Sequence, residues 1–235
     1  HAEHPLFDLS LFRSRAFALG NVASFLAYLY LAGNNFLMPF YLDSVMKMSA
    51  AASGMLFLVY SLVYMAAGPA TGKLVDRVSP RTICTGAMLL CTLAPGYMVW
   101  IAGSPNLILL GGYFAVLGLS MGAFCTSNNT VVMGMAPEGK QGMVSSVFRM
   151  IMRLGMAFGV CAFDATFHFG SKLVSTDTDL IRNMSAPALA SGFRLVYLVG
   201  VGVSILAMAA SLLAMDCKKG NGPPAPPPGS GGANG

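Results

Sequence analysis

Apolar residues in this chain come in long unbroken runs separated by short polar stretches, with neither the alternation of a strand nor the one-sided stripe of a surface helix. A run of about 20 apolar residues crosses the hydrocarbon of a bilayer as a helix. Six such runs predict six spans, at about 16–41, 50–72, 82–102, 107–135, 141–169 and 188–215. Turn signals separate them: Ser79-Pro80 before the third, Gly103-Ser104-Pro105 after it, and Pro137 after the fourth. Pro39 sits at the end of the first span, where the last turn can relax or kink. The reading is an all-α membrane bundle over 16–215, with a polar lead-in over 1–15 and a disordered Gly/Pro-rich tail over 216–235.

Composition sharpens this picture. Hydrophobic residues make up 55% of the 235 and charged residues only 10%, against about 25% charged in soluble domains. Mean hydropathy is +0.67. Such a chain cannot cover a water-facing surface with polar side chains, so the lipid bilayer is its solvent. The net charge of +5 does not imply nucleic acid, because the basic residues stand singly between apolar runs. Their placement sets orientation instead. With the N-terminus inside, ten Lys and Arg fall on the cytoplasmic side and four outside, so the positive-inside rule places both termini in the cytoplasm.

The first residue is His and no signal-peptide pattern follows, so the chain is expected to begin inside a longer protein or after processing. Short loops and the lack of a targeting peptide suit a prokaryotic inner membrane.

The chemistry-bearing motifs are few. Five cysteines form no CxxC, and four lie in apolar runs as small buried side chains. No phosphate-binding loop, HExxH or GxSxG appears, so neither a cofactor nor a metal nor a catalytic constellation is implied. Most aromatics in the spans read as interface-belt or packing residues. Glycines four apart, at Gly68/Gly72, Gly118/Gly122 and Gly155/Gly159, let helix backbones approach closely.

The segment Gly72–Arg81 wedges Asp76 among Lys73, Arg77 and Arg81 between the second and third spans. It reads either as an ordinary positive-inside loop or as a latch that pairs and releases neighbouring helices.

That segment resembles the loop motif of the major facilitator superfamily, at the same place in a six-helix half. Gly72, Asp76, Arg77 and Arg81 match, while Ser79-Pro80 replaces the usual Gly-Arg. Pro39-Phe40-Tyr41-Leu42, Ser53-Gly54, Gly118 to Gly122, and Arg153-Leu154-Gly155 with Gly159 resemble the fourteen-span drug:proton antiporter branch. The resemblance covers residues 5 to 215. It implies one half of that fold, a three-plus-three inverted repeat, in a multidrug efflux permease that exchanges an amphipathic compound for protons. The partner would be the missing N-terminal six-helix half.

Polar groups inside spans then acquire candidate roles. Asn34 and Asn35 in the first span, and Ser127, Asn128 and Asn129 in the fourth, lie on helices that line the central cavity in the superfamily; interhelical hydrogen bonding is the alternative. Gly72, Asp76, Arg77 and Arg81 would form a conformational gating loop. Arg149, Arg153, Gly155 and Gly159 fit a helix interface; for the two arginines it is the interface with the missing half, or they snorkel to headgroups. Asp164 and His168, four apart, fit a proton relay or a solvated helix end. Two other functions remain open: a non-transporting scaffold or half-transporter subunit that pairs with another six-helix chain, and an intramembrane enzyme using Asp164 and His168.

Overall fold

A computed structural model describes residues 14–101, 106–136, 139, 141–173 and 186–216. The lead-in, most of the connection between the fifth and sixth spans, and the tail lie outside the described residues. Six helices follow one another: α1 (Arg15–Phe40), α2 (Ala50–Val75), α3 (Pro80–Ile101), α4 (Leu107–Met133), α5 (Gln141–Lys172) and α6 (Ala186–Asp216). Each is long and apolar enough to cross a membrane, and there is no strand among the described residues.

Local chemistry sets the helix ends. Pro39 lacks an N–H and stays inside α1, and the backbone beyond it switches to a π-helical turn over Tyr41–Val45. Lys47, at φ 51, then ends the helical path in a left-handed conformation. Ser49 Oγ accepts from Ala52 N at the start of α2. Asn106 Oδ1 accepts from Ile108 N at the start of α4. Ser79 Oγ accepts from Thr82 N, with Pro80 as the first residue of α3. Ser79-Pro80 is thus a helix start: a hydroxyl cap followed by the residue that has no N–H to leave unsatisfied.

Inside a bilayer, lipid tails are as apolar as leucine, so helices associate through close packing and hydrogen bonds rather than water exclusion. The glycine pairs show where. A Cβ on Gly118 or Gly122 would meet the backbone of Tyr60 or Tyr64 at 2.7–2.8 Å, which locks α4 against α2. A Cβ on Gly155 would meet Phe25 O at 2.6 Å, and one on Gly159 would collide with Leu29 O, which locks α5 against α1. Gly68 and Gly72 do no such work within this unit, and Gly72 has open space around it.

The packing follows an internal pseudo-symmetry in which α1–α3 correspond to α4–α6. α5 lies against α1 as α2 lies against α4; α6 lies against α1 as α3 lies against α4; α3 and α6 pack together at the back. One relation is broken. α5 also packs on α6, whereas α2 hardly touches α3. α2 is accordingly the least buried helix, with Met55 at 69% and Met65 at 68% exposure.

Aromatic and sulfur-bearing side chains fill the interior, including Tyr30, Tyr113, Phe114, Phe163, Phe167 and Phe193. A smaller cluster of Phe17, Val132, Val144 and Phe148 joins α1, α4 and α5. It sits at the end of the bundle that carries Arg15, Lys73, Arg77 and Arg81, hereafter the basic end.

Candidate functional site

α1 and α4 run through the middle of the unit and touch each other only sparsely. With α3 and α6 closing the back and α5 and α2 flanking, they present an open face. Each carries adjacent asparagines, and neighbouring residues on a helix differ by about 100° in direction. One of each pair therefore turns inward and the other does not. Asn34 and Asn128 are each 3% exposed, while Asn35 and Asn129 are exposed.

The inward residues bind other helices. Tyr113 donates to Asn34 Oδ1 at 2.7 Å, and Tyr30 and Tyr113 share a hydroxyl contact of 3.2 Å. Asn128 Nδ2 donates to Ser24 Oγ at 2.7 Å, and Ser24 donates to Gly20 O. Ser127 is buried and donates to Ala123 O within its own helix. Ser24 and Asn34 are ten residues apart on α1, so these two polar links stand about 15 Å apart.

The outward side holds a recess of about 340 Å³ between α1, α4 and α5, lined by Tyr28, Cys125, Asn129, Met133, Ser145, Phe148, Arg149 and Met152. Tyr28 Oη lies 3.0 Å from Cys125 Sγ. The Tyr64 hydroxyl reaches the same thiol from α2, with the Tyr60 ring stacked on the Tyr64 ring at 6.0 Å. Asn35 follows Tyr28 by seven residues, nearly two turns, so it stands on the same side of α1 about 10 Å further along. Tyr28, Tyr60, Tyr64 and Cys125 were not among the site residues expected from sequence. The signal that could have found them is two tyrosines four apart in the middle of a span, far from an interface belt.

Of the cysteines described, Cys84 and Cys91 are buried, Cys125 is half-buried and Cys161 is exposed. On α5, Arg149 lines the recess, and Arg153 is exposed one turn further in. Asp164 and His168 sit near the far end, with Oδ1 and Nε2 3.7 Å apart and side chains 43% and 42% exposed. At about 100° per residue, positions 149, 153, 164 and 168 fall within one arc of about 100° on the helix.

The loop residues are split by the structure. Gly72 lies inside α2, Asp76 is its C-cap residue, and Arg81 lies in the first turn of α3. Asp76 and Arg77 are exposed and form no ion pair among the described residues. A carboxylate at a helix C-terminus stands in the unfavourable end of the helix dipole. Arg81 turns toward a separate small pocket of about 20 Å³, lined by α1, α3, α4 and α6 and including Asn128 and Ser211.

Comparison with known proteins gives the following. The sequence profile described as Major Facilitator Superfamily matches residues 2–160. The riboflavin transporter RibZ of Clostridioides difficile is 30% identical over 165 residues, covering 70% of this chain and 36% of the relative. The multidrug efflux pump LfrA of Mycolicibacterium smegmatis is 27% identical over 165 residues, covering 69% and 32%. The lincomycin resistance protein LmrB of Listeria monocytogenes is 20% identical over 222 residues, covering 92% and 46%. The chain thus spans less than half the length of these relatives.

Proposed function

The chain belongs to the Major Facilitator Superfamily, and from that premise we propose that it is the C-terminal six-helix half of a proton-coupled efflux permease for drugs or other small amphipathic compounds. The observation that carries the reading is the open face. It places polar and aromatic side chains of α1, α2, α4 and α5 where a second six-helix unit would enclose them. Transporters of this architecture hold their cargo near the bilayer midplane between two such units and rock one against the other.

In this account Asn35 and Asn129 face the cargo, and Asn34, Ser127 and Asn128 hold the wall behind them. Asp76, Arg77 and Arg81 form the latch. Asp76 and Arg77 have no ion-pair partner among the described residues, and in this account their partners lie on the other unit in one conformation and are released in the other. Arg153, with the backbone contacts of Gly155 and Gly159, keeps α5 at the junction. Asp164 and His168, whose side chains stand 3.7 Å apart on the open side of α5, exchange the proton. The basic end is the cytoplasmic one, and both termini lie there.

The test is export by the full-length parent in everted membrane vesicles, using neutral, cationic and anionic aromatic dyes. The expected result is uptake driven by a proton gradient and abolished by a protonophore. Asp164→Asn is expected to uncouple it, and Asp76→Asn to slow it about tenfold, a loss of about 1.4 kcal/mol in the transition state. Gradient-independent behaviour of every dye contradicts the reading and returns the fold to a scaffold role.

A further inference from the structure

The charge balance of the recess specifies what it holds. Its lining carries one charged side chain, Arg149, and no Asp or Glu. Arg149 forms no ion pair or hydrogen bond among the described residues. The nearest acid on the same face of α5, Asp164, lies 15 residues away, about 22 Å along the helix. Arg149 stands in the third turn of α5 from the basic end and is exposed on the open face, so its charge is available to an incoming partner. The other polar groups of the lining, the Tyr28 hydroxyl against the Cys125 thiol, the Asn129 amide and the Ser145 hydroxyl, can each donate as well as accept and bring no negative charge. The apolar part of the lining is Phe148, Met133 and Met152. Polarizable thioethers and an aromatic ring suit the flat face of an aromatic ligand.

Resting on the transporter reading above, we infer that the cargo of this recess is a planar aromatic carrying a carboxylate or a similar anionic oxygen, bound by the Arg149 guanidinium. A guanidinium presents paired N–H donors that match the two oxygens of a carboxylate. Tyr28 and Asn129 lie on the other walls, where they meet the ring edge and any carbonyl on it. A lipophilic cation finds the opposite field: the charge of Arg149 repels it, and no carboxylate in the lining compensates.

The experiment uses the purified full-length parent and three matched probes: anthracene-9-carboxylate, its primary amide, and 9-anthracenylmethylammonium. Affinities are read from probe fluorescence. The anion is expected to bind about tenfold or more tightly than the cation, with the neutral amide between. Arg149→Gln is expected to lower anion affinity about tenfold and leave the amide unchanged, and Arg149→Lys is expected to retain part of the preference. The anion-over-cation ratio of the wild-type protein decides the matter even if Arg149→Gln is not monodisperse. A cation that binds as tightly as the anion, an anion affinity indifferent to Arg149→Gln, or no binding of any probe overturns the assignment. Failure of the transporter reading shows separately, as the absence of proton-driven movement of any dye.

Discussion

At the scale of single residues, the two asparagine pairs divide their work by helix rotation. Asn34 and Asn128 tie α1 and α4 to each other, and Asn35 and Asn129 stand exposed on the open face. Hydrogen bonds between membrane helices average about 0.6 kcal/mol in double-mutant cycles, because the unfolded chain also finds partners in lipid. A cycle of Asn34→Ala and Tyr113→Phe, read by unfolding in mixed micelles, is therefore expected to give a coupling of about 0.6 kcal/mol. Asn35→Ala is expected to leave stability unchanged. Zero coupling in the cycle would remove the Asn34–Tyr113 link from the account. Sequence alone placed these amides on the first and fourth spans but could not orient them. Those spans are apolar on all sides, so no stripe marks an inner face and neighbouring asparagines look equivalent.

At the scale of helices, two glycine pairs set the distance between neighbours and one does not. Gly118 and Gly122 admit α2, and Gly155 and Gly159 admit α1, at backbone contact. Gly122→Leu and Gly159→Leu are each expected to cost about 1–3 kcal/mol or more through overpacking, seen as a lowered thermal midpoint of the solubilised protein. Gly72→Ala is expected to leave the midpoint unchanged, since a Cβ there meets nothing within 4 Å. If it nevertheless slows transport, Gly72 faces the second unit. A midpoint lowered by Gly72→Ala as much as by Gly122→Leu would contradict the packing described. The six helices and the superfamily were legible in the sequence, because run length and the Gly72–Arg81 segment are both local signals. Which glycine pair meets a neighbour was not legible. Spacing of four places two glycines on one face without saying what lies opposite that face. The recess tyrosines were obscured for a related reason: Tyr28 and Cys125 are 97 residues apart and meet only through the tertiary fold.

For the whole molecule, the broken symmetry matters most. α2 is held by α4 on one side and left bare on the other, and Asp76 at its end has no ion-pair partner among the described residues. A helix so exposed and so charged at its end is suited to contact a second unit that moves. The central claim is therefore alternating access to the open face. The most direct measurement is thiol labelling of the full-length parent, with its native cysteines replaced and a single cysteine at Asn35 or Asn129. A membrane-impermeant reagent is applied from each side, with and without a proton gradient. The account predicts that Asn129→Cys labels from the basic side and Asn35→Cys from the far side, and that the gradient changes the two rates in opposite directions. Rates that ignore the gradient, or both positions labelling from one side only, would contradict it.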